Sequence, residues 1–166
     1  MLELFSRNPE GIDLDNVRQI VPIPSGAYQH SLSAILLDEV YYSLIRDQCT
    51  TTDGLPFANA TALIPLKASA SLNLSRQKDA GKIVDSKNIN KHRNDVFRLA
   101  STLPGEPGPA LPSSIVADVS QFLANFPAAS DAWAGILASL KNTMSDGLKP
   151  DALRSAIQTY FRLPAE

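Results

Sequence analysis

The sequence predicts an α+β fold, predominantly α, with one or two short N-terminal strands followed by a helical bundle. Three observations carry this expectation. Residues 2–6, LELFS, alternate apolar and polar and stop at Asn8-Pro9 and Gly11, which reads as a short strand. From about residue 63 onward, apolar residues recur at helical spacing between cap and stop signals. The last third is rich in Ala and Leu and is cut into helix-length pieces by Ser, Pro and Gly.

The opening strand needs a neighbour, and its place at the start leads us to expect that its usual partners lie upstream. A second extended piece, Ile20-Val21-Pro22-Ile23-Pro24, is apolar and β-branched, but its prolines lack ladder donors and confine it to an edge or a linker. A helix is predicted after Ser25-Gly26, capped by Ser31 or Ser33, with Leu32, Ile35, Leu36, Tyr42 and Ile45 on its apolar face. It ends in the polar run 48–54, and Leu55-Pro56-Phe57 crosses to the next helix, where Pro65 fits a first-turn position. The helix over about 65–80 puts Leu66, Ala70 and Leu74 on one stripe and stops at Gly81. Asp85-Ser86 then offers N-cap oxygens to a helix whose stripe is Ile89, Val96, Leu99 and Leu103. Pro104-Gly105-Glu106-Pro107-Gly108-Pro109 ends that helix, and three shorter ones follow at roughly 113–125, 130–142 and 150–162. The expected organisation is a segment 1–103, a Pro/Gly linker 104–112 and a helical extension 113–166 packed on the same domain.

At 166 residues the chain is long enough to bury a core, as one domain or one lobe of a larger one. Its formal net charge of −2 argues against a broad nucleic-acid or membrane-binding surface and leaves only local patches. No apolar run reaches the roughly 18 residues of a membrane span. The N-terminal MLELFSRNPE has no basic region, apolar core or cleavage site, so it is not a signal peptide. The one cysteine, Cys49, excludes an intrachain disulfide and a cysteine-rich zinc site. A small buried or semi-buried residue in a reducing, cytoplasmic setting is the reading of Cys49 we prefer to a nucleophile.

Candidate chemistry lies between residues 63 and 103. Lys67 borders the predicted buried stripe, where its ammonium could meet a phosphate in a neighbouring cleft. A snorkelling lysine covering apolar surface is the commoner meaning of that spacing. His92 and Asp95, three apart, face nearly the same way and could share a site. The ordinary alternative pairs Asp95 with Lys91 or Arg98 and leaves His92 a satisfied interior imidazole. Arg76, Lys78, Lys82, Lys87, Lys91, Arg93 and Arg98 form a positive concentration around the loop 80–88, able to hold a triphosphate or an RNA end, although such a run is more often a solvated face. Asp13-Leu14-Asp15 has the two-carboxylate pattern of magnesium sites but lies among turn residues, not on a strand.

Several segments resemble nucleotidyltransferases of the AbiEii abortive-infection type, a toxin–antitoxin class. They are Leu2 to Arg7, Leu32 to Leu37, Leu63-Ile64-Pro65-Leu66-Lys67, Val84-Asp85-Ser86-Lys87, and Lys91-His92-Arg93-Asn94-Asp95-Val96-Phe97-Arg98-Leu99. The likeness spans roughly residues 2–103 and is specific in the last two of these segments. It implies a polymerase-β-like transferase with a helical C-terminal lobe, using Mg2+ and a nucleoside triphosphate (NTP). Lys67 and Asp95 match its downstream catalytic lysine and aspartate, and Lys67, Arg76, Lys91 and His92 would be nucleotide-binding. His92 stands where many members carry a further Asp, and Glu3 would be a metal-site carboxylate. The family's Gly-Ser turn and catalytic Asp-x-Asp strand are missing from these residues, so the expectation is the C-terminal part of such an enzyme, truncated or reduced, with little or no transfer by this chain. The rival expectation is a non-catalytic helical module whose basic loop 76–93 binds a nucleotide, an RNA end or a protein partner, or a homodimer formed through the exposed first strand.

Overall fold

The computed structural model describes residues 4–7, 20–23, 32–141 and 147–164. It is α+β and predominantly α. A three-stranded sheet orders β1 (Leu4–Arg7), β3 (Leu32–Leu37) and β2 (Ile20–Ile23), with β1 parallel and β2 antiparallel to the central β3. Helix α1 (Glu39–Asp47) and a hairpin of β4 (Cys49–Thr52) and β5 (Leu55–Ala58) follow. Five further helices complete the described chain: α2 (Ala60–Asp79), α3 (Ser86–Ala100), α4 (Ser113–Ala124), α5 (Ala132–Leu140) and α6 (Pro150–Phe161).

The structure corrects the predicted helix that was to begin before Leu32. Leu32–Leu37 is a strand, because both sides of this short apolar run are taken up by β1 and β2. The helix starts only at Glu39, and its cap is Asp38, whose carboxylate accepts the Tyr41 N–H at 2.9 Å, in place of Ser31 or Ser33. The polar run and the predicted crossing are a second correction: residues 49–58 form a hairpin around Asp53-Gly54, with φ of 53° and 78°. Positive φ at both turn residues is what a two-residue hairpin requires and what Asp-Gly supplies. Such a turn makes Thr52 and Leu55 a hydrogen-bonded pair. Pro56, one step on and opposite Thr51, then falls where an N–H would point away from the partner strand.

Pro65 is not in a first turn. Asn59 caps α2 through the Thr61 N–H at 3.0 Å, so Pro65 sits inside the helix and removes the bond to the Thr61 carbonyl. The expected stripe Leu66, Ala70, Leu74 is also corrected. Ile64, Ala68 and Leu72 face the main core, Leu66 faces a second cluster, and Ala70 and Leu74 are only half-buried. Thr61, Ala62, Ser69 and Ser71 are buried as well, so α2 is enclosed on most sides and has no single apolar stripe.

The main core joins α2 and α3 to the three C-terminal helices. Phe97 of α3 lies 4.7 Å from Trp133, and 5.6 Å from both Phe122 and Phe126, ring centre to ring centre. The smaller cluster joins Leu37 and α1 to Ala62, Leu66 and Ile115, and Tyr41 adds a 2.7 Å bond from its hydroxyl to Asp118. Arg154 is buried, with its guanidinium donating to the Leu123 and Phe126 carbonyls at 2.9 and 2.5 Å. It thereby adds a charged donor to the Leu123 carbonyl, which also accepts the Phe126 N–H at 3.0 Å, and supplies one to the Phe126 carbonyl just past the end of α4. The Pro/Gly segment is strapped down: Gly108 donates to the Tyr160 carbonyl, accepts from Arg162, and lies so close to the Tyr160 ring that a Cβ would come within 2.6 Å.

Two substitutions probe these contacts. Arg154→Met removes the charged donor from the Leu123 and Phe126 carbonyls and is expected to cost about 1–3 kcal/mol in urea unfolding. Gly108→Ala forces the Tyr160 ring aside and is expected to cost about 1–3 kcal/mol, with the Thr61–Tyr160 hydroxyl bond disturbed.

Candidate functional site

Helix α2 ends at Gly81, whose φ of +79° suits glycine, and α3 begins at Asp85, whose carboxylate accepts the Lys87 N–H at 2.8 Å. The short loop between them folds α2 and α3 against each other and brings the cations of both helix ends to one tip. Lys78 spans the loop, its ammonium 2.8 Å from the Ser86 hydroxyl. Arg76 is turned to structural use, donating to Asn73 and, at 2.7 Å, to Gln121 of α4. Lys82, Lys87 and Lys91 are exposed at the tip. Their charges face solvent, with Asp79 and Asp85 as the neighbouring carboxylates.

The remaining predicted residues are distributed differently. Lys67 is half-buried between the buried Leu66 and Ala68, about 14 Å along the helix axis from Arg76 by helical rise. Asp95 is bonded to Arg98 at 2.6 Å, the local i,i+3 pair. His92 is half-buried on α3. Arg93, also half-buried, donates through Nε to the Asn94 side chain at 3.0 Å, and burial pulls its guanidinium below the ordinary arginine value. Arginine keeps its charge through such a shift, so Arg93 is a cation partly stripped of water.

The structure thus gathers Lys78, Lys82, Lys87 and Lys91 at one tip and leaves Lys67 and Asp95 apart from them. Glu3 and the Asp13-Leu14-Asp15 segment lie outside the described residues. Of the candidate carboxylates, Asp95 alone lies among the described residues, and Arg98 engages it. Sequence reasoning passed over Ile83, fully exposed in the loop, and Leu55 and Phe57, exposed on β5. An apolar residue directly after a Gly stop and a lysine was the available signal for Ile83. Among the described residues no helix is long and apolar enough to cross a membrane.

Comparison with protein-family models, with curated proteins and with solved structures finds no match to this chain.

Asp95→Asn isolates the role of the local pair. With Arg98 over a third exposed, its loss is expected to lower stability by no more than about 1 kcal/mol in urea unfolding. A much larger loss would show that Asp95 does more than hold Arg98.

Proposed function

We propose that this chain is a non-catalytic binding module that holds an acidic partner at the tip between α2 and α3. The observation that carries this reading is the set of exposed lysines, Lys82, Lys87 and Lys91, in a chain whose net charge is otherwise negative. Lys78, Lys82, Lys87 and Lys91 outnumber the neighbouring carboxylates Asp79 and Asp85, which leaves a local positive potential, and a polyanion is what such a potential attracts. The half-buried Arg93 adds a partly desolvated charge on the same helix. The free thiol of Cys49 is exposed on β4, not buried or semi-buried as expected, because both faces of the hairpin are open; a free thiol suits the cytoplasmic setting we assign to the protein.

A second reading keeps the nucleotidyltransferase expectation. It is favoured by the direct packing of α2 on α3, the helices that carry Lys67 and Asp95. In that reading Lys67 contacts the triphosphate of a bound NTP, Asp95 positions Lys67 or the nucleotide, and an antitoxin or RNA acceptor completes the system. When bound, magnesium would neutralise the phosphate charge.

The test is anisotropy with labelled poly-glutamate and, separately, a labelled NTP with and without magnesium. Tip binding predicts magnesium-independent affinity for at least one probe, weakened by salt and lowered at least about tenfold in the Lys82→Glu, Lys87→Glu, Lys91→Glu triple variant. Binding that survives the triple variant, or no binding of either probe at low salt, overturns this reading. Magnesium-dependent NTP binding abolished by Lys67→Ala would favour the transferase instead.

A further inference from the structure

We infer that the acidic partner of this tip is a peptide segment of another protein, held along one side of α3 with a carboxylate seated on the Arg93 guanidinium; the inference rests on the reading of the tip as the binding site. Ser86, Asn90, Arg93 and Phe97 stand at i, i+4, i+7 and i+11 of α3, so they form one row along the helix. The row starts in solvent and ends in the core. Ser86 and Asn90 are exposed, Arg93 is half-buried and Phe97 is fully buried. Lys78 of α2 joins the exposed end, its ammonium 2.8 Å from the Ser86 hydroxyl. A cation, an amide and a second cation are thus set out over about 10 Å of helical rise.

Among the described residues no carboxylate answers the charge of Arg93. Its Nε donates to the Asn94 carboxamide oxygen at 3.0 Å, which orients the guanidinium, and neither Nη group takes a bond from those residues. The opposite side of α3 differs. Lys87, Lys91, Asn94 and Arg98 follow one another there at the same spacing, and Asp95 engages Arg98 at 2.6 Å. A cation partly stripped of water is costly while unpaired, and an anion that completes it recovers that cost. Burial also lowers the Arg93 guanidinium below the ordinary arginine value, which agrees with this placement. With Nε taken, the two Nη groups are left as the fork that receives both oxygens of one carboxylate.

Ile83 decides among the polyanions. It stands wholly in solvent beside Lys82, in the loop where the row begins. Single-stranded nucleic acid is held by aromatic rings on which its bases stack, and residues 80–95 contain no Phe, Tyr or Trp. A bilayer surface holds a protein through cations together with buried apolar area, and at this tip Ile83 is the one large apolar side chain exposed among the described residues. An acidic peptide supplies both kinds of partner, an aliphatic side chain for Ile83 and carboxylates for Lys78, Lys82 and Arg93. About three residues of extended chain span the row.

Anisotropy of a labelled oligo-glutamate peptide carrying one leucine, bound to the full chain, tests this. A short DNA duplex and phosphatidylserine vesicles serve as competitors at equal concentrations of anionic groups. The leucine peptide is expected to bind more tightly than the same peptide without leucine, and Ile83→Asp to remove that difference. Arg93→Lys keeps the charge but not the fork and is expected to weaken binding at least about tenfold. Arg93→Met is expected to weaken it at least as much while raising the urea midpoint, because the unanswered charge has gone. An Arg93 with a purely structural role would instead lower the midpoint and leave the peptide bound. Peptide binding indifferent to both Arg93 substitutions, or displacement of the peptide by the duplex or the vesicles, overturns the proposal. If the Lys82→Glu, Lys87→Glu, Lys91→Glu triple variant loses the peptide while both Arg93 variants keep it, the tip reading stands and the Arg93 seat falls. A wild type that binds none of these probes ends both.

Discussion

The enclosure of α2 is the constraint on which the rest of the structure depends. Five other helices and the end of β3 contribute to the two cores that meet on it, and a helix surrounded in this way has little room for charge along its length. Its middle is accordingly small and neutral, with Ala62, Ala68, Ser69 and Ser71 allowing neighbours to approach closely. Its charges, Lys67 apart, lie in the last turns, where α2 leaves the bundle. The positive tip is thus a consequence of packing before it is a feature of function.

The same enclosure sets what the C-terminal helices must do. They supply the aromatic and aliphatic side chains that close over α2 and α3, and their own polar ends then lie near apolar groups. Arg154 meets this by reaching from α6 to the terminal carbonyls of α4, and the Trp133 ring N–H meets it by donating to the Pro127 carbonyl at 2.9 Å. The Pro/Gly stretch after α3 has a structural part in this arrangement too. It crosses back over Tyr160, and Leu111 packs against both cores.

How much of this was legible in the sequence depends on how local each signal is. Gly81, Asp85 and Pro150 act within one turn of chain, and the helices they bound were read closely. Leu32–Leu37 was misread because a six-residue apolar run has no decisive period, and what makes it a strand is pairing with residues distant in sequence. Pro56 concealed the hairpin: a proline argues against a strand only where its amide would face a partner, and here it does not. The α2 stripe failed for the opposite reason, since an enclosed helix has no single buried face to find. For the candidate site, the Asp95–Arg98 pair was legible from i,i+3 spacing, whereas how much of Lys67 is covered depended on packing by helices distant in sequence.

The placement of the tip lysines carries one more inference about selection. Cations near a helix C-terminus, such as Arg76 and Lys78 on α2, complement the macrodipole and favour folding. Lys87 is in the first turn of α3, which holds no acidic residue, and there a positive charge opposes the dipole by some tenths of a kcal/mol. Asp85 offsets part of this through its cap. Lys82 and Lys91 add to the same potential without an ion pair to recover the energy. A Glu or Asp in that turn would favour the dipole, so Lys87 adds to the positive field of the tip at a small cost to the helix. The dipole it opposes works in that direction as well, because the positive end of α3 and the lysine charges present one field to an approaching carboxylate or phosphate.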